Sequence, residues 1–171
     1  MATNRKNQSM PNGHLHELFV DELRDMLGAE KQLLKGLKKM ASKADRENLK
    51  MAFEEHRTQT ETHVERLKKV FESINLSPRG KTCKAMEGLL SEAEEIMDNF
   101  EDAEVLDAAL ISAAQKVEHY EIASYGCLVT YASLMEHREA ADLLSQTLEE
   151  EKETDTKLTE IAMQEANMVA S

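Results

Sequence analysis

Between Leu110 and Val129 the chain writes a helical apolar stripe (Leu110, Ala114, Val117, Ile122, Tyr125, Leu128, Val129) and sets two carboxylates on it. Glu118 and Glu121 are three residues apart, so they share a helix face, and that face overlaps the apolar one. A carboxylate on a core-facing stripe is costly unless it is paired, protonated or bound to a metal. The same conflict recurs on three other helical stretches, at Glu30, His56 and Glu151. A helical chain that directs acids and imidazoles into its own core is usually holding something there.

The periodicity predicts four long helices. The first spans 14–41, with Leu18, Phe19, Leu23, Met26, Leu27, Leu33, Leu34, Leu37 and Met40 repeating at three and four. The second spans 45–74, with Asp45 as a plausible N-cap. Its inward set is Leu49, Ala52, Phe53, Val64, Leu67, Val70 and Phe71. His56, Gln59, Thr60 and His63 fill the middle of that stripe, where apolar residues are missing. The segment from Asn75 to Gly80 breaks the pattern. A short helix follows over 85–99, then long helices over 103–134 and 138–169. The first and last connections are short, which makes two antiparallel hairpins. The middle connection runs about 28 residues, far more than a bundle turn needs. The expected fold is therefore all-α: a ferritin-like antiparallel four-helix bundle whose long crossover, between the second and third bundle helices, carries a short extra helix.

Simple register arithmetic draws the acids together. In a hairpin, residues equidistant from the turn lie at one height. A first turn centred near residue 43 puts Glu30 level with His56. A second centred near 135 puts Glu118 close to level with Glu151. Glu30, Glu118, Glu121 and Glu151 supply four negative charges, which two divalent cations would balance. Hard oxygen ligands with an imidazole suit iron or manganese. The expected metal ligands are Glu30, His56, Glu118, Glu121 and Glu151. One metal is placed among His56, Glu30 and a bridging carboxylate, the other nearer Glu118, Glu121 and Glu151. His63 lies two turns beyond His56 and is a weaker ligand candidate. Gln59 is a weak ligand or a hydrogen-bonding neighbour. Asp155, one turn after Glu151, is a further ligand or a supporting residue. Tyr125 either orients a ligand, gates redox chemistry or simply fills the core. His119 belongs beside the site or on the surface.

Each residue also has a plainer reading. Glu30 could sit at a helix edge and pair with Lys31 or Lys35. Glu149, Glu150 and Glu151 form a run that mostly faces solvent, and only Glu151 is in phase with Leu144, Leu148 and Leu158. His56 alone is an ordinary polar core residue. The ten methionines fill gaps in a core of only 4% aromatics.

Composition excludes other classes. The formal net charge of −12 leaves no basic surplus for a phosphate backbone or an anionic membrane. No apolar run is long enough to span a bilayer. Cys83 and Cys127 have no CxxC spacing and read as free thiols in a reducing, cytoplasmic setting. Residues 1–13 are polar and read as a disordered leader rather than a signal peptide, with one domain over 14–171.

Four runs carry a family resemblance: AEKQLL at Ala29–Leu34, CKAMEGLL at Cys83–Leu90, DAALISAAQKVEHYEIASYG at Asp107–Gly126 and TLEEEKETDTKL at Thr147–Leu158. They resemble the YciF-like stress proteins over nearly everything after residue 14. The resemblance implies the ferritin/rubrerythrin superfamily, a cytosolic homodimer and a dinuclear metal site whose ligands are Glu30, His56, Glu118, Glu121 and Glu151. It implies no defined reaction. Ferritin-like bundles carry Glu-x-x-His on two helices. This chain has Thr154 three residues after Glu151, and Gln59 where the resemblance leads one to expect glutamate. A glutamine cannot bridge two cations as a carboxylate does, so occupancy of the second position stays open. The residues themselves suggest a non-haem di-metal protein for oxidant or peroxide detoxification or iron handling; the alternative is a non-enzymatic helical stress dimer with a degenerate or empty site.

Overall fold

A computed structural model describes residues 13–166. Its elements are α1 (Gly13–Lys43), α2 (Glu47–Ser73), α3 (Lys84–Asn99), α4 (Ala103–Leu134) and α5 (Arg138–Ile161), with a π-helical turn at Ala162–Ala166. All regular structure among the described residues is helical. The expected leader lies outside the described residues except for Gly13, which begins α1. The end of the last predicted helix, beyond residue 166, also lies outside them.

The four long helices pack in a closed order: α1 against α2 and α4, α5 against α2 and α4. α3 covers the seam by packing on α1 and α4. Phe19, Leu23, Leu27, Leu33, Leu37, Phe53, Leu67, Phe71, Leu110, Leu128 and Leu144 are all buried in one core. Leu18, counted inward by spacing, is 42% exposed. Phe19, about 100° round the helix, takes the inward position instead.

Two helix ends turn the chain. Asn75 and Glu136 adopt left-handed φ of 59° and 57° just past α2 and α4. Leu76 N–H bonds Phe71 O at 2.9 Å, and His137 N–H bonds Ala132 O at 2.9 Å. These six-residue closures satisfy the last carbonyls and stop each helix. The start of α2 departs from expectation. The cap residue is Arg46, and its side chain makes no capping bond. Buried Asp107 of α4 supplies the acceptors, taking the N–H of Asp45 at 2.8 Å and of Arg46 at 2.9 Å. Asp45 therefore contributes its backbone rather than its carboxylate.

The crossover is fixed against α1. Lys81 N–H bonds Arg24 O at 3.0 Å. A Cβ on Gly28 would lie 1.6 Å from Lys81 O, so only glycine permits this approach. Gln32 accepts from Cys83 N–H at 2.8 Å and donates to Cys83 O at 3.1 Å. Cys83 Sγ then caps α3 by accepting from Met86 N–H. Both cysteines are free. No helix among the described residues is long and apolar enough to cross a membrane.

Candidate metal centre

The polar gap in the α2 stripe meets the acids of the other helices at mid-length. α1 brings Glu30, α2 brings His56 and His63, α4 brings Glu118 and Glu121, and α5 brings Glu151. Each is 3% exposed or less. Two groups of potential ligand atoms form. His56, Glu118, Glu121 and Glu151 make one; Glu30, His63 and Glu151 make the other, with the atoms of each group within 4.8 Å of one another. Glu151 belongs to both and stands where a bridging carboxylate would.

This partition corrects the expected one. His56 Nε2 lies 3.0 Å from Glu118 Oε1 and 4.0 Å from Glu151 Oε2, and it is not grouped with Glu30. Glu30 instead faces His63, whose Nδ1 is 3.6 Å from Glu30 Oε1 and 3.0 Å from Glu151 Oε1. The turn position explains the change. α1 ends at Lys43 and α2 begins at Glu47, so the connection centres on residue 45. That sets Glu30 level with Thr60, midway between the two histidines. The α4–α5 connection centres on residue 136, which puts Glu121 level with Glu151.

The cluster is unsatisfied by protein alone. Glu30 Oε2, Glu118 Oε2, both carboxylate oxygens of Glu121 and of Glu151, His56 Nε2 and His63 Nδ1 have no hydrogen-bond partner. The 3.0 Å contacts of His56 with Glu118 and of His63 with Glu151 are ion pairs when the imidazoles are protonated. So many orphaned buried atoms on six converging side chains are what a bound cation would satisfy. The residues fit a pair of oxygen- and imidazole-bound metals.

Electrostatics favours the same conclusion. Burial, then the neighbouring carboxylates of Glu151, Glu30 and Glu118, pushes Glu121 well above the usual carboxylate range. Burial pushes Glu151 up to about 7 against the opposing contact of His63. Burial works against charge on His56 and His63, yet their carboxylate neighbours prevail. They raise His56 to about 9 and His63 to about 10. Without a metal the cluster gathers protons to offset its negative charge. Metal binding would release them.

Surrounding residues aim the ligands. His63 Nε2 lies 2.7 Å from Glu150 Oε2. Arg66 holds Glu150 with two bonds, of 2.8 and 3.0 Å, and also donates to Thr147 at 2.7 Å. An Nε2–H donated to Glu150 leaves His63 Nδ1 free as the ligand atom, a frequent support for metal-bound histidine. The Arg66 contact holds the Glu150 carboxyl below the usual range. At the other end, the Thr154 hydroxyl donates to Glu150 O at 3.1 Å and lies 3.5 Å from His56 Nδ1. It can accept the Nδ1–H and leave Nε2 facing the carboxylates. Tyr125 is fully buried and donates to Glu30.

Several expectations change here. His63, the weaker candidate, is as buried as any ligand and central to one group. Gln59 is half-buried, with Oε1 3.5 Å from the Thr154 hydroxyl, beside the site. Asp155 is not with the cluster: it pairs with Gln115 and His119, each at 3.3 Å, and His119 is exposed. Glu30 is buried, so the surface pairing with Lys31 or Lys35 does not occur. Glu150, which the reading of its run turns toward solvent, and Arg66, which the spacing alone does not single out, together brace His63. Arg66 follows His63 by three residues and so shares its face, which was the available signal.

Comparison with known proteins agrees in extent. Residues 14–171 match the family described as a domain of unknown function, DUF892. The chain belongs to this family. Among the relatives of this DUF892 chain is Protein YciF of Escherichia coli strain K12, 49% identical over 157 residues that cover 91% of this chain and 95% of that protein. The crystal structure of that E. coli stress protein superposes with a TM-score of 0.86, covering 90% of this chain and 97% of the other. YcfI of Rhodopseudomonas palustris, at 38% identity, gives a TM-score of 0.83 with 91% and 96% covered. A protein of Xanthomonas campestris, at 25% identity, gives 0.73 with 91% and 95% covered. This DUF892 chain is thus YciF-like along nearly all of its described length.

Proposed function

We propose that the chain is a stress-response, ferritin-like four-helix-bundle protein whose buried carboxylates and imidazoles hold a dinuclear iron or manganese site. Its use would be oxidant or peroxide detoxification, or iron handling. The observation that carries this reading is the pair of ligand groups sharing Glu151, with orphaned buried oxygens and nitrogens on every member. When bound, such metals supply one-electron redox chemistry and Lewis acidity. The chain's own part is to hold charge, to exclude bulk water and to fix each imidazole through Thr154 or Glu150. We further propose that it works as a cytoplasmic homodimer.

A second reading has its own support. Thr154 stands where a Glu-x-x-His motif would carry a histidine, Gln59 stands where the YciF resemblance leads one to expect a glutamate, and His56 and His63 already face carboxylates at 3.0 Å. A helical stress dimer with protonated, paired core residues would look like this too. Metal content after aerobic purification separates the two: iron or manganese retained supports the first, none supports the second. Peroxide consumption by the iron-loaded protein then separates a detoxifying role from storage or delivery without turnover.

A further inference from the structure

A partly open cavity of about 110 Å³ lies between α2 and α5, and its lining includes His56 and Glu118 of the centre. We propose that divalent cations reach the His56 end of the centre through this cavity, and that the Glu55–Lys157 ion pair gates its mouth. The inference rests on the metal reading above and adds the path and its control.

The lining changes character with depth. Exposed Glu55, Glu153 and Lys157 form the mouth. Half-buried Gln59 and the Thr154 hydroxyl follow. The innermost lining residues are His56 and Glu118, each carrying a buried atom with no hydrogen-bond partner. A cation moving inward would exchange hydration oxygens for protein oxygens in stages rather than all at once. The walls between are apolar, and two of them, Ala52 and Ala114, are small enough to leave the passage open. A volume of about 110 Å³ has room for a small ion with part of its hydration water.

The mouth also has the right sign. Two carboxylates at a cleft raise the local cation concentration and the association rate. Lys157 opposes that field and bonds Glu55 across the groove. Both partners are about half exposed, at 46% and 59%. An ion pair so exposed is weak and opens readily. Lys157 thus acts as a light latch, displaced when a doubly charged ion competes for Glu55.

The test uses full-length metal-free protein and manganous ion, under anaerobic conditions. Uptake is followed by loss of the free-ion paramagnetic resonance signal, and equilibrium stoichiometry by metal analysis after desalting. Lys157→Gln removes the latch on the surface, where folding is not at stake. Its uptake rate should rise about threefold at low salt, with the gain fading as ionic strength rises. Ala52→Leu narrows the passage; uptake and release to a chelator should both slow about tenfold, with stoichiometry unchanged. If wild type retains manganese but Lys157→Gln takes it up at the wild-type rate, the gated path is wrong and the metal site stands. If wild type retains none, both inferences fall.

Discussion

The two ends of the centre share Glu151 and use the same residue types, yet they are built differently. The His63 end is braced: Glu150 and Arg66 hold the imidazole from behind, and Tyr125 holds Glu30. The His56 end is open: its imidazole rests on one threonine hydroxyl at 3.5 Å, and a cavity leads to it from solvent. Bracing costs adaptability and gives a fixed geometry. Openness gives access at the cost of orientation. On the dinuclear reading proposed above, one position is set to stay and one to exchange.

The sharpest way to break this comparison is to remove what the ends share. Glu151→Ala should abolish retention of both metals, whereas Glu118→Ala should lose only the His56 position and Glu30→Ala only the His63 position. Metal analysis of the three desalted variants checks this. Equal losses from all three would mean the ends are not separate sites.

The metal-free protein should report the same charges through pH. Glu151, His56 and His63 all bind protons more tightly folded than unfolded. Their stabilisation is complete below the unfolded pKa and is lost as pH rises through the folded one. For Glu151 the window runs from about 4.5 to about 7. The histidine windows run from about 6.5 to about 9 and about 10. Calorimetry of metal-free protein should therefore show stability falling from pH 5 to pH 9. Metal-loaded protein should show the opposite trend over the lower part of that range, because protons compete with the cation.

Smaller changes sharpen the contrast between braced and open. Tyr125→Phe deletes the hydroxyl on Glu30 and should weaken the His63 position about 10–100-fold, the usual effect of losing a supporting partner. The His56 position should keep its affinity, as competition with a chelator would show. Gln59→Glu should act at the other end. A carboxylate there should tighten the His56 position about tenfold, since hard divalent cations favour carboxylate over amide oxygen. Unchanged binding with stability lower by about 2–3 kcal/mol would instead mean an unpartnered buried charge.

Much of this architecture was legible as period and phase. The helix over 103–134 follows directly from its apolar spacing, and the long middle connection forces a crossover. Glu118, Glu121, Glu151 and Glu30 stood out because each occupies a position that an apolar residue should hold. What escaped notice depends on neighbours distant in the chain. His63 looked peripheral because its partners, Glu30, Glu150 and Glu151, lie on other helices. Asp45 looked like a cap because the true acceptors, on Asp107, are 62 and 61 residues away. Asp155 was in phase with Glu151, yet one helical turn carried it to the rim, where Gln115 and His119 meet it. The pairing of ligands turned on a two-residue error in one turn centre. Helical spacing reads faces well; heights depend on where a turn sits.

The central claim is that this acidic, imidazole-bearing core exists to hold metal. Anaerobic loading of the full-length wild-type protein with ferrous or manganous ion, followed by desalting and metal analysis, tests it most directly. The account predicts up to about two ions retained per chain, with the His56 position exchanging into a chelator first. Wild-type protein that retains no metal after desalting, and grows more stable when Glu121 or Glu151 becomes alanine, would contradict it.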